Sequence, residues 1–163
     1  METAISTIDF RTRDSLRFRA KVAVHIILER AGEVLLLRRF NTGVEDGMYV
    51  LPMGGLEENE VPTAAALREA FEEVNAIIDP RDITFAHAMY RKHTQPDGYI
   101  YYQQDLIFHS TTFTGDIRNM EPHKADHVAF FPLESLPSPM APMADALLKA
   151  YLAGVPYSEF GFE

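Results

Sequence analysis

On a helix turning ~100° per residue, Glu69, Glu72 and Glu73 fall within one third of the circumference. Like charges at i, i+3 and i+4 destabilise a bare helix, so something positive is expected in front of them. Carboxylate oxygens are hard ligands, which makes a divalent cation the natural partner. Arg68 stands one helical turn before Glu72 and can brace that carboxylate with its guanidinium. The plain alternative is a solvated acidic face. The residues just upstream weigh against it. Pro52, Met53, Gly54 and Gly55 follow the apolar stretch 49–51, so a strand is expected to end in a glycine turn whose carbonyls can approach a cation closely.

Counting from Gly54, five residues lead to Glu60, and seven more lead to Arg68-Glu69-Ala70-Phe71-Glu72-Glu73-Val74-Asn75-Ala76. This resembles the Nudix box, G-x5-E-x7-R-E-U-x-E-E-x-G-U with U apolar, and so many fixed positions set it apart from a short motif. The departures leave the acidic positions intact. Asn75 replaces the glycine near the end of the box, and Asn is the next-best residue for a left-handed helix end. Met53 stands where many members have another glycine, and Ala70 is a small occupant of an apolar slot. Val61 occupies the usual Ser or Thr cap position, forfeiting about 1 kcal/mol, while Pro62 suits the first turn.

The resemblance implies Mg²⁺ or Mn²⁺ held by the Gly54 carbonyl, Glu72, Glu73 and Glu69, with Arg68 orienting the glutamates. Many Nudix hydrolases carry a further loop glutamate as ligand or base. Glu121, in the 115–122 stretch, is its best match, so the water's proton would go to Glu69 or to Glu121. Lys124 and Arg39 are the matching candidates for substrate phosphate; strand alternation lets only one of Arg38 and Arg39 face the site. The implied reaction is hydrolysis of a nucleoside diphosphate linked to some moiety X, most commonly a nucleoside triphosphate. The alternative is a Nudix-like module that binds a nucleotide or ADP-ribose without cleaving it. Such modules usually lose box glutamates, whereas this chain keeps Glu69, Glu72, Glu73 and Arg68. MutT-type members that cleanse oxidised guanine triphosphates read the base with an Asn after an F-P-P-like stretch. The comparable SLPSPM segment here presents Met140, so that specificity is not expected, and a pyrimidine or modified nucleotide, a sugar nucleotide or a dinucleotide stays open.

Several elements must position these groups. Ala64, Leu67, Ala70, Phe71 and Val74 cluster opposite the glutamates and are expected to pack the helix on a sheet. Residues 17–29 and 33–40 read as strands around a hairpin at 30–32, followed by a loop over 41–48. Strands are expected at 83–91 and 101–110, flanking a turn at 94–98, and at 127–131. A last helix over 142–153 carries the stripe Ala144, Leu147, Leu148 and Tyr151, with Gly154 as its stop. The expected fold is α/β, and the resemblance makes it the Nudix fold, a mixed β-sheet sandwiched between helices. A single domain over 17–154 would lie between an N-terminal extension, 1–16, and a C-terminal tail, 155–163.

At 163 residues and 47% hydrophobic, the chain can bury a sizeable core. Its net charge of −9 disfavours nonspecific binding to nucleic acid or anionic membranes, and the resemblance implies a small-molecule nucleotide or nucleoside diphosphate derivative as the partner. A homodimer stays open as a further partner. Without cysteine there is no disulfide or thiolate chemistry. The longest apolar run, 22–28, is too short to span a bilayer, and with no signal-peptide pattern the chain reads as cytoplasmic. The six histidines show no helical zinc spacing. Tyr49, Tyr90, Tyr102 and Phe130 could stack on a base, though strand aromatics more often build the core.

Overall fold

The molecule is described by a computed structural model over residues 9–95 and 97–162. The first half of the expected N-terminal extension, Pro96 of the expected turn and Glu163 of the tail lie outside the described residues. A short helix α1, Phe10–Ser15, capped by the Asp9 carboxylate, precedes the sheet. Strands β1, Lys21–Arg30, and β2, Glu33–Arg39, follow. Two short strands, β3 (Tyr49–Val50) and β4 (Met53–Gly55), lead into helix α2, Pro62–Val74. The remainder is β5 (Thr84–Thr94), β6 (Ile100–Ser110), β7 (Ala125–Pro132), α3 (Pro142–Leu152) and β8 (Tyr157–Phe160).

The strands form a mixed sheet in the order β3-β2-β1-β6-β5-β8, with β4 added to β1 and β7 to β2. β1 is the central strand. One edge runs parallel to β6 from Lys21 to Leu28, and the other is shared between β4 at Ala23–His25 and β2 at Glu29–Arg30. Its unbroken burial from Ala23 to Leu28 reflects cover on both faces rather than one. Val24, Ile26 and Leu28 join the core with Ala65, Ala66, Ala70 and Val74 of α2, while Ile27 points the other way, to Leu147 and Leu148 of α3. The chain thus sandwiches a mixed sheet between helices.

Three features differ from the sequence expectation. Gly54 and Gly55 belong to a strand paired with β1, not to a turn, because the extended chain after Pro52 meets an open edge of β1. Residues 157–160, expected in a tail, pair in parallel with β5 as β8. Buried His87 fixes that strap, one ring nitrogen 2.6 Å from the Val155 carbonyl and the other 2.8 Å from the Ser158 hydroxyl. The third difference is the facing of α2. Ala64 and Phe71 are exposed, and the inward side carries Ala65, Ala66, Glu69, Ala70 and Val74. Small alanines let the helix lie close on β1 and β4, and that close approach turns Glu69 toward the sheet instead of away from it.

α2 ends where Asn75 adopts a left-handed conformation at φ 57°, its N–H donating to the Ala70 and Phe71 carbonyls. The Asn75 side chain also donates to the Asp116 carbonyl at 3.0 Å. Asn75→Ala should cost about 1–2 kcal/mol in urea denaturation, combining a strained left-handed residue with a lost hydrogen bond. Asn75→Gly keeps the backbone freedom and should cost less than half as much.

Candidate active site

Arg68 is the centre of the acidic cluster. Its Nε donates to Glu60 Oε1 at 2.9 Å and its Nη2 to Glu60 Oε2 at 3.0 Å, a bidentate pair. Nη1 reaches Glu69 Oε1 at 2.6 Å and Glu72 Oε2 at 3.2 Å, and Nη2 also donates to the Gly55 carbonyl at 3.1 Å. The bracing role expected toward Glu72 therefore extends to three carboxylates and β4. Hydrogen bonding to Glu60 first, then to Glu69, holds the guanidinium well above its ordinary value, and Arg68 in return holds the Glu60 carboxyl below the usual range. Glu60 was not among the expected site residues, although its fixed place in the box was the signal that could have marked it.

Glu69 lies so close over Gly54 that a Cβ at that position would overlap its carboxylate. Glycine is required there to admit the acid, not to make a turn. Burial pushes the Glu69 carboxyl up, and Arg68 offsets part of that rise. Glu73 accepts a hydrogen bond from the Met53 N–H at 2.8 Å through Oε2. Burial pushes its carboxyl up to about 8, with Glu69 and Glu121 adding repulsion against that single backbone donor. Glu72 is half exposed and points to the rim.

The loop carrying Glu121 is tied down. Met120 N–H donates to the Glu73 carbonyl at 3.0 Å and Arg118 N–H to the Val74 carbonyl at 3.2 Å, which hangs the loop on the last turn of α2. The Asn119 amide holds the Ala125 carbonyl at 2.7 Å and accepts from Glu121 N–H at 3.0 Å. Lys124 Nζ lies 2.7 Å from Glu121 Oε1, and that contact raises the ammonium's pKa. Glu73, Glu121, Lys124, Asn119 and Arg39 share the lining of a cavity of about 170 Å³. Arg39 spends its guanidinium on the 41–48 loop, donating to the Val44 carbonyl at 2.7 Å and the Thr42 hydroxyl at 3.1 Å. Arg38 points elsewhere, to Asp126 at 2.7 Å. Nothing in the sequence marked Asn119, because its role depends on the loop's path.

A divalent cation fits this donor set in kind: carboxylate oxygens, main-chain carbonyls, and a buried acid with one N–H for company. Among the described residues no three acidic or imidazole side chains converge on one point. Arg68 and the Met53 N–H satisfy the glutamates instead. The aromatic candidates are engaged internally. Tyr49 is buried with its hydroxyl on His127, Tyr90 stacks with Tyr102 and Phe162, and Phe130 stacks with Phe113. Met140 packs against the core beside its bridge to Tyr49.

A mixed sheet between helices is an architecture shared with known structures. The MutT NUDIX hydrolase from Burkholderia pseudomallei superposes with a TM-score of 0.71 at 23% identity, covering 81% of this chain and 98% of that one. The mutator MutT protein from Bacillus halodurans gives a TM-score of 0.67 at 20% identity, over 85% of this chain and 88% of that one. The NUDIX domain profile matches residues 18–151. This chain belongs to the Nudix family. Over 61 residues it is also 43% identical to an RNA pyrophosphohydrolase of Shewanella sediminis, covering 37% of this chain and 33% of that protein. The chain thus spans about a third of the length of the curated relatives it matches. Among the described residues no helix is long and apolar enough to cross a membrane.

Glu73 yields a pH signature. A carboxyl whose folded pKa is raised contributes its stability below the unfolded value near 4.5 and loses it as pH rises toward about 8. In metal-free buffer, stability should therefore decline across that window, by at most about 1.4 kcal/mol per pH unit from this group. Glu73→Gln should flatten the decline in chemical denaturation at stepped pH. An identical slope in the variant would remove Glu73 as its source.

Proposed function

We propose that this protein is a metal-dependent hydrolase that cleaves a phosphoanhydride in a nucleoside triphosphate or another nucleoside diphosphate derivative. The observation that carries this reading is the buried Glu73 carboxyl, repelled by neighbouring acids, on the wall of a cavity that also carries Lys124 and Arg39. An acid held in such a place gains from a bound cation and from an anionic ligand beside it. Glu69, Glu72, Glu73 and the Gly54 carbonyl would hold Mg²⁺ or Mn²⁺, which when bound supplies Lewis-acid polarisation and neutralises phosphate charge.

The protein's own groups divide the remaining work. Arg68 fixes the orientation of Glu69 and Glu72, limiting reorganisation as charge develops. Lys124 stands on the rim where it can leave Glu121 for a substrate phosphate oxygen. Arg39 keeps the 41–48 loop closed over the same cavity. The water's proton has two candidate acceptors. Glu69 is pinned by Arg68 and pressed on Gly54, whereas the side-chain partner of Glu121 among the described residues is the exposed Lys124, which favours Glu121 as base. The family's binding modules offer the other reading, and the retention of Glu69, Glu72 and Glu73 together with Arg68 weighs against it.

The test is release of phosphate and pyrophosphate from a phosphoanhydride panel with Mg²⁺ or Mn²⁺. RNA belongs in that panel because of the Shewanella relatives' name, although the net charge of −9 and the small cavity favour a compact nucleotide. Glu73→Gln should lower turnover by orders of magnitude while staying folded, and it should weaken Mn²⁺ binding in titration calorimetry. Near-wild-type turnover in that variant would defeat the assignment. Glu121→Gln should lower kcat by roughly 10²- to 10⁴-fold with Mn²⁺ affinity retained, as expected for loss of a general base. An unchanged kcat and pH–rate profile would transfer the role to Glu69.

A further inference from the structure

A second cavity, of about 270 Å³, adjoins the first, with Arg39 and Met53 lining both. Its size approaches the ~300 Å³ at which ligand pockets begin. Across its wall runs a row set by strand register: Lys21 of β1 beside Gln103 of β6, and Gln103 beside Arg91 of β5. Ala23, Val44 and the side chains of Met53 and Met143 supply apolar surface for a flat ring.

Beneath that row lies Asp105, fully buried. Gln103 Nε2 donates to its Oδ1 at 2.6 Å, His25 Nε2 lies 3.0 Å from the same oxygen, and Arg91 Nε lies 2.6 Å from Oδ2. The last contact is close but too far off-line to count as a hydrogen bond, so it acts chiefly as charge against charge. Burial alone would raise the Asp105 carboxyl, yet His25, Arg91 and Gln103 together bring it below the usual range. An ionised carboxylate only accepts, so Gln103 must turn its amide nitrogen toward Asp105. Its Oε1 is left facing away. Among the described residues neither that oxygen nor the two terminal nitrogens of Arg91 has a protein partner, and none of the three is sealed from solvent. A buried charge network of this kind is costly, and an apolar sheet interior would serve packing better. What it achieves is a locked acceptor beside locked donors on a cavity wall.

We propose that this cavity takes the nucleobase of the substrate. Gln103 Oε1 accepts from a base N–H, the Arg91 guanidinium donates to the neighbouring carbonyl or ring nitrogen, and Asp105 is the positioning residue that holds both. Every nucleobase edge offers such a donor–acceptor pair, whereas a sugar phosphate offers no flat ring with that pattern. The inference rests on the nucleotide-hydrolase reading and adds where and how the base is read.

The test uses the intact protein and four ribonucleoside 5′-monophosphates, with ribose 5-phosphate as the base-free control, in titration calorimetry. These probes contain no phosphoanhydride, so binding is read apart from turnover. At least one monophosphate should bind on the order of tenfold tighter than ribose 5-phosphate, the loss expected when matched polar groups go unpaired. Gln103→Leu should bring that preference to within about threefold while ribose 5-phosphate affinity holds. Asp105→Asn, which frees the Gln103 amide to turn over, should compress the spread among the four bases. Should Asp105→Asn fail to fold, Gln103→Leu decides alone. Equal binding of all five probes to the wild type overturns the proposal, as does Gln103→Leu with its preference intact and only its melting temperature lowered. Base-selective binding without hydrolysis of any phosphoanhydride would defeat the hydrolase reading and leave the base cavity standing.

Discussion

The guanidinium of Arg68 is the constraint on which the acidic end of this molecule depends. One planar group ties Glu60 on the loop, Glu69 and Glu72 on α2, and the Gly55 carbonyl on β4. Without it, three carboxylates on one helix would repel each other and the loop before the helix would lose its anchor. Hydrogen bonds to charged groups contribute about 1.5–3 kcal/mol each when shielded, and less where solvent screens them, as at half-exposed Glu72. A lysine could supply the charge, but a point charge could not hold a bidentate Glu60 while reaching two more acids.

Backbone geometry makes that arrangement reachable. β1 shares one edge between β4 and β2, so β4 lies beside α2 while β2 carries Arg39 to the cavity. Ala65, Ala66 and Ala70 bring the helix down onto the sheet, and Gly54 leaves room for the Glu69 carboxylate between them. The 115–122 loop is then fixed by hydrogen bonds to the carbonyls at the end of α2, which is how Glu121 comes to share a cavity with Glu73. Helix end, loop and acidic face form one mechanical unit.

Two buried acids show opposite electrostatic solutions in one sheet. Asp105 is surrounded by donors and stays ionised, which suits a fixed scaffold. Glu73 has one backbone donor and acidic neighbours, which leaves it short of compensation and receptive to a cation. The difference lies chiefly in neighbours, with Asp105 sealed in the sheet and Glu73 on a cavity wall.

The local pattern determined much of this protein by itself. The spacing from Gly54 through Glu60 to Arg68 and Glu73, the left-handed helix end at Asn75 and the α3 stripe were readable because each depends on residues close in the chain. Tertiary packing decided the rest. Which side of α2 faces inward could not follow from apolarity alone: exposed Phe71 and buried Glu69 reverse the hydrophobic expectation, because Arg68 compensates the acid and Gly54 makes room for it. The addition of β8 to β5, the anchoring of the Glu121 loop and the meeting of His25, Arg91 and Gln103 at Asp105 all join residues distant in sequence. Such contacts leave no periodic trace along the chain, since strand register, not spacing, sets which side chains meet.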